Sequence, residues 1–397
     1  MSHQEQEQEQ EEEEEIRVML KCVKSLLWYV DHTLRIVDSW ETELRHLPHH
    51  HQQLLWPKRQ TMLQELREAA RSNQLVLDRI VKANPFLGRG SFALSPSDVR
   101  ERMSAIIING EDVDKVRSTL KQIARDWSEE GAEERDACYG PILEELSRRF
   151  PDVDQRGDVR VLVPGSGLGR LPFEIVTRGF TCEGNEWSFH MLLTSFLILN
   201  RPMEEPLAVY PYIHEPCNNL RISDQLRCCH FPDVAPDSLS VAEGRFSTSA
   251  GDFVEVYGPQ TDTWDVVVTC FFLDTARNVV QYVECIANML KPGGVWINFG
   301  PLLFHYAGMD GGSVEITYEE VRDIMYAYGF RFEMEEIRDC VYASNRMSMM
   351  HTVFRCAFFA ATIQKVQDKG EREGEGADPP SQEMEAMEED AKASEPV

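Results

Sequence analysis

Several things are missing from this chain of 397 residues, and each absence removes a class of function. The ten cysteines, scattered from Cys22 to Cys356, include no Cys-x-x-Cys pair. That excludes a zinc ribbon and a secreted disulfide framework, and it points to reduced thiols in the cytoplasm or the nucleus. No apolar run approaches the roughly 18 residues of a membrane span, and the N-terminus carries acid where a signal peptide needs base. Positive charge is scarce: 40 Lys and Arg stand against 67 Asp and Glu, for a net charge of −27. Eight glutamates in Met1–Glu15 and an excess of acid after Lys365 account for much of it, yet the body between them is acidic as well. Nucleic acid and anionic membrane are therefore excluded as principal partners. Metal ligands in a usable pattern are also lacking. Cys228, Cys229 and His230 are adjacent, and adjacent side chains rarely converge on one tetrahedral ion; His49-His50-His51 reads as solvated loop.

What is present divides near residue 150 into a helical part and an α/β part. Residues 1–15 form a Gln/Glu tract expected to be disordered. Residues 16–150 read as an all-helical domain. Apolar residues recur at helical spacing from Ile16 to about Arg45 and again over Leu54–Val81, after a break at Pro57. Asn84-Pro85-Phe86-Leu87-Gly88 interrupts, and Ser95-Pro96-Ser97 offers caps for a further helix. A helix over Glu111–Trp127 carries Gln122 and Arg125 on one face. Taken alone, these are two polar residues on a wet surface.

From residue 151 to 364 strands alternate with helices, the pattern of a Rossmann-like α/β domain with a parallel sheet. Val159, Val161, Leu162 and Val163 lead into Pro164-Gly165-Ser166-Gly167-Leu168-Gly169, and a helix follows over Leu171–Val176. A second strand ends at Glu186, where a carboxylate can accept both ribose hydroxyls of a nucleotide. The glycine spacing is Gly-x-Gly-x-Gly with Arg170 in the sixth place, unlike the fingerprint of a nicotinamide dehydrogenase. Ser188–Asn200 reads as an apolar helix, and the long insertion 201–245 as a lid. Later strands run into Asp252-Phe253, through Trp264 to Asp274, and through Val295–Phe299 into Gly300–His305. A helix at Thr317–Tyr328 and two antiparallel strands, near Phe330–Glu336 and Met349–Ala361, close the domain. Residues 365–397 are acidic and expected to be disordered.

Ligands of an open α/β sheet sit beyond the carboxyl ends of the strands. Gly165, Gly167, Glu186, Asp252, Phe253, Cys270, Asp274 and His305 all follow strands, so one crevice collects them. An acid after the second strand suits ribose. An acid followed by an aromatic ring after the third suits adenine. Before any resemblance is considered, His305 is also readable as an ordinary loop histidine and Asp274 as a helix cap.

This arrangement resembles the class I S-adenosylmethionine-dependent methyltransferases. TLKQIARDWSEEGAEERDACYGPI, VLVPGSGLGRLPFEI, GNEWSFHML, AGDF, TCFFLDTARN and LKPGGVWINFGPLLFH together resemble the carnosine N-methyltransferase family over most of residues 115–360. The resemblance implies that Gln122, Arg125, Gly165, Gly167, Glu186, Asp252, Phe253 and Cys270 contact S-adenosylmethionine, with S-adenosylhomocysteine as product and no metal. It implies that Asp274, His305, Tyr342 and Phe354 face a small histidine-containing dipeptide, and that Asp274 and His305 are catalytic. Members methylate an imidazole nitrogen to give anserine-type products. Where the family places tyrosines after Ser348-Met349-Met350, this chain has His351-Thr352-Val353-Phe354. Phenolic hydrogen bonds are lost there, so the substrate is carnosine, a related dipeptide or a histidine at a peptide end.

The chemistry of the residues agrees with such a reaction. An imidazole is mostly neutral at pH 7 and needs no strong base. A carboxylate accepting the N–H of one ring nitrogen frees the lone pair of the other and stabilises the charge that grows on the ring. Two other readings stay open: a methyltransferase acting on protein histidine, with 201–245 holding the chain, and a non-catalytic cofactor-binding module. A homodimer is compatible with the sequence.

Overall fold

Glutamate and glutamine are good helix formers, and their tract continues into an apolar stripe that needs a partner. In the computed structural model, which describes residues 3–84, 86, 94–201, 205–236 and 244–365, the first helix runs from His3 to His46 (α1). The expectation of disorder over residues 1–15 is thus corrected from His3 onward. Ion pairs Arg17–Glu14 and Arg102–Glu13 fix the end of the tract that joins the stripe. The next helix, His49–Ala83 (α2), turns back along α1, with Arg67 bridging Asp38 and Glu41. Pro57 lies inside α2 and does not break it, and His49, His50 and His51 form its exposed first turn instead of a loop. Tertiary contact outweighs the local cost of the proline: Met62, Leu63, Leu66 and Ala70 are buried on this helix.

Three more helices follow: Pro96–Ala105 (α3), Gly110–Trp127 (α4) and Ala132–Arg149 (α5). Ser95 and Asn109 cap the first two through reciprocal bonds with Asp98 and Asp112. The interruption at 84–88 lies mostly outside the described residues, as does the tail beyond Lys365.

The α/β part then alternates as the sequence reads. Its elements are Arg160–Pro164 (β1), Arg170–Thr177 (α6), Thr181–Glu186 (β2), Phe189–Asn200 (α7), Leu207–Val209 (β3), Ile222–Gln225 (α8), Cys229–Phe231 (β4), Phe246–Ala250 (β5), Phe253–Tyr257 (α9), Trp264–Cys270 (β6), Val279–Met289 (α10), Leu290–Gly300 (β7), Tyr318–Ala327 (α11), Phe330–Cys340 (β8) and Phe354–Ile363 (β9). Seven strands form one sheet in the order β5-β2-β1-β6-β7-β9-β8. Pairings from β5 to β7 are parallel, and β9 runs antiparallel between β7 and β8. Strand order reverses at β1, which is where an open α/β sheet leaves a crevice. Val266, Val267 and Val268 of β6 are fully buried, as a strand covered on both faces requires.

Helices α5 and α6 pack one face of the sheet, and α9, α10 and α11 pack the other. Helices α1, α2, α4 and α7 share a third core with the insertion. The chain up to Gln364 is one compact unit, so the change near residue 150 marks a change of layer within a single body.

The described part of the insertion, residues 205–236, is packed against the helical layer. Strands β3 and β4 pair with each other, and Asn73 of α2 bonds both the N–H and the carbonyl of Tyr210. Asp233 receives Arg135 and Arg170, and Tyr29 bonds His214 at 2.8 Å. These polar anchors, with Val209, Tyr212 and Phe231 buried among the helices, hold residues 205–236 against the helical layer. On β4 Cys229 is buried and His230 exposed, as strand alternation demands. Among the described residues no group of three or more His, Cys, Asp or Glu could hold a metal ion, and no helix is long and apolar enough to cross a membrane.

Candidate active site

Five strand ends and one helix face enclose a cavity of about 750 Å³. Every cofactor residue expected from the sequence lines it: Gln122, Arg125, Gly165, Gly167, Glu186, Asp252, Phe253 and Cys270. His305 and Tyr342 line it too. Gln122 and Arg125 therefore do not face solvent. Helix α4 carries them over the carboxyl end of the sheet, and Arg125 is only 6% exposed.

The glycine loop follows β1 with three left-handed residues, Gly165, Gly167 and Gly169. At Gly165, φ is 63° and a Cβ would stand 2.5 Å from the Phe272 ring. At Gly167 a Cβ would meet nothing closer than 3.9 Å, so the space beside it is open to a ligand. Helix α4 positions this loop directly. The Trp127 indole N–H donates to the Leu168 carbonyl at 3.0 Å, and Arg170 donates to the Asp126 carbonyl at 2.9 Å.

Glu186 accepts N–H groups from Gly167, Trp187 and Ser188, at 2.8, 2.9 and 2.8 Å. A carboxylate has about four acceptor positions, so one remains on Oε2 for a ribose hydroxyl where the sequence suggested room for two. Burial pushes its pKa up against the pull of those donors. Asp252 caps α9 through Oδ1, which takes the Val254 and Glu255 N–H groups, and Oδ2 has no hydrogen-bond partner among the described residues. Phe253 is held edge-on by Phe272 and Tyr282 at 5.4 and 5.1 Å. An acid and a ring thus stand together at one end of the cavity, as an adenine requires.

At the other end Gln122 donates to the Tyr342 hydroxyl at 2.8 Å, and the Arg125 guanidinium lies 4.6 Å over the Tyr342 ring. Arg125 also pairs with Asp126 and Glu134, at 2.6 Å each. Burial pushes the Tyr342 phenol up to about 12.

Two expected residues do not line the cavity. Strand β6 ends at Cys270, and Phe271 turns the chain with φ 52°, an uncommon conformation for a bulky residue. Asp274 therefore falls in a 3₁₀ turn, Leu273–Thr275, and not at a strand end. It is 3% exposed, recessed behind Thr275 and His305, which both line the wall. Its Oδ2 accepts the Leu303 N–H at 2.9 Å, and its carbonyl accepts the His305 N–H at 3.0 Å. Burial raises the pKa of this carboxyl. Phe354 stands behind Phe271, with ring centroids 6.1 Å apart, and its β9 strand faces the hydrophobic layer beneath.

The sequence reading missed other lining residues, including Asp126, Tyr139, Phe271, Arg277, Tyr282 and Tyr306. Asp126 was within reach of it, being the immediate neighbour of Arg125. The aromatic residues carried no signal, because any of them reads equally well as core.

Comparison with known proteins agrees with this geometry. A family model described as Carnosine N-methyltransferase matches residues 103–365. A rat protein, Carnosine N-methyltransferase of Rattus norvegicus, is 41% identical over 347 residues, covering 85% of this chain and 84% of its own. The protein of the same description from Dictyostelium discoideum is 35% identical over 353 residues, 86% of this chain and 76% of its own. That from Schizosaccharomyces pombe is 43% identical over 273 residues, 65% and 73% of the two chains. The match takes in α4 with Gln122 and Arg125, the whole seven-stranded sheet and the loop that bears Tyr342, and the chain belongs to the carnosine N-methyltransferase family.

Proposed function

We propose that this protein transfers the methyl group of S-adenosylmethionine to an imidazole nitrogen of carnosine, giving the N-methylated dipeptide and S-adenosylhomocysteine. The observation that carries the reading is the convergence on one cavity of eight cofactor-type residues with His305 and Tyr342, in a chain of this family. The open space beside Gly167, the acceptor left on Glu186 and the uncommitted Oδ2 of Asp252 fit a nucleoside with hydroxyls and an amino group. Gln122, Arg125 and Gly165 would hold its amino-acid end. When bound, S-adenosylmethionine supplies a methyl carbon made electrophilic by a sulfonium.

The residues around that carbon have three tasks. Phe271, Phe272 and Tyr342 line the wall with aromatic surface, which excludes water and aligns the nucleophile. His305 frames the incoming imidazole. Asp274, recessed behind Thr275 and His305, accepts the Leu303 N–H through Oδ2 and the His305 N–H through its carbonyl, and so sets the segment from which His305 meets the ring. The N–C bond forms as the C–S bond breaks, and the positive charge passes from sulfur to the ring. A carboxylate just behind the wall stabilises that charge through space, and the ring proton leaves to solvent afterwards. The scattered, unpaired cysteines suit a reducing compartment, cytoplasm or nucleus.

Incubation of the purified full chain with S-adenosylmethionine and carnosine, read by mass, tests the reading. The expected result is a dipeptide heavier by one methyl group. Label entering denatured lysate proteins while carnosine stays unmodified would instead favour a protein-histidine methyltransferase.

A further inference from the structure

Among the described residues lining the cavity, the Lys and Arg side chains are Arg125 and Arg277. Arg125 is neutralised by Asp126 and Glu134. Arg277 has no carboxylate partner among the described residues, yet it is held in place. Its guanidinium carbon lies 3.9 Å from the Tyr306 ring centroid, and Nη1 donates to the Gly312 carbonyl at 3.2 Å. Its own carbonyl accepts the Val314 N–H at 3.0 Å, so backbone and side chain are both tied to the loop that follows His305. Nε and Nη2 remain without a partner. A stacked guanidinium with half its fork uncommitted is organised in advance for an oxyanion, and a carboxylate matches that fork.

Position names the ligand. Tyr306 follows His305, the residue that frames the substrate ring, whereas the end of the cavity that suits the cofactor's own carboxylate is at Gly165 and Arg125. In a C-terminal histidine the carboxyl carbon lies only a few bonds from the imidazole. We propose, on the basis of the function given above, that Arg277 receives the free carboxylate of the substrate. It thereby selects a histidine at the C-terminus of a small peptide over one inside a chain.

The test compares carnosine with its C-terminal amide, which keeps the same imidazole and loses the charge. A charge-assisted hydrogen bond predicts that the wild-type full chain favours the acid in kcat/KM by about 10- to 100-fold, mostly through KM. Arg277→Gln should lower the acid to near the level of the amide and leave the amide itself unchanged, and Arg277→Lys should recover part of the difference. Cofactor affinity by calorimetry should not move. Equal loss on acid and amide, or a weakened cofactor with substrate KM unchanged, overturns the assignment. Should Arg277→Gln fail to fold, the wild-type ratio decides, and a ratio near one overturns it. Turnover of neither compound would defeat the methyltransferase reading itself, a result distinct from equal turnover of both.

Discussion

Glu134 and Arg125 meet in a buried ion pair, Nε to Oε1 at 2.6 Å, and the same carboxylate accepts the backbone N–H groups of Ala343 and Ser344. One side chain thus ties the α4 arginine to the loop that presents Tyr342. Removing one partner of a buried pair strands the other charge. Glu134→Ala is expected to destabilise the protein by about 3–5 kcal/mol, read as a lower urea midpoint. Cofactor affinity should fall in the same variant, because the Tyr342 loop loses its anchor. Glu134→Gln, which keeps an acceptor, should lie between.

Gly165 and Gly167 separate loop strain from ligand clash. Both take positive φ, which costs an alanine about 1–2 kcal/mol. At Gly165 the added methyl also meets the Phe272 ring, itself stacked on Tyr282 at 4.9 Å, so that Gly165→Ala should lower both melting temperature and cofactor affinity. At Gly167 the methyl enters open space, and Gly167→Ala should lose cofactor affinity by about tenfold or more with a much smaller change in melting temperature.

Asp274 can act through its charge or through its hold on the Leu303–His305 segment. Asp274→Asn preserves the shape and an acceptor for the Leu303 N–H. If the charge stabilises the methylated ring, turnover should fall by about a hundredfold or more in Asp274→Asn with cofactor affinity retained. Full turnover in Asp274→Asn alongside a strong loss in Asp274→Ala would reduce Asp274 to a positioning residue.

Acid should weaken the helical layer in a defined window. Burial lowers His190 to about 4 and His214 to about 3. In the unfolded chain both titrate near 6.5. Below that value the unfolded state binds more protons, so stability declines by about 1.4 kcal/mol per pH unit for each histidine, levelling off as pH passes the folded values. Urea titrations from pH 7 to pH 4.5 should show this slope, and His190→Gln, which can keep the contact to Ser25, should flatten part of it.

The alternation of strands and helices, the glycine turn and the acids after β2 and β5 were legible because each has a local cause. Strand period, left-handed glycines and helix caps all act over a few residues. The inward aim of Gln122 and Arg125 has no such cause; it depends on α4 lying across the sheet, and only the resemblance pointed to it. The recess of Asp274 goes with a 3₁₀ turn that follows an unusual dihedral at Phe271, which nothing in an apolar run announces. The packing of the insertion was hidden for a related reason. Its anchors, Asn73, Arg135 and Arg170, come from remote parts of the chain, and length alone made it look like a cover. The Glu/Gln tract erred the other way: composition suggested disorder, while continuity with α1 gave it a helix.

The bond from the Trp127 indole to Leu168 carries a lesson for dissection. A fragment beginning at residue 151 would retain all the strands and the acids at their ends, Glu186 and Asp252, yet its glycine turn would lose the brace that sets its height, and the vessel would lack one side. Catalytic competence here is a property of two layers cast together, so transplanting the sheet alone into another scaffold should yield a receptacle that leaks.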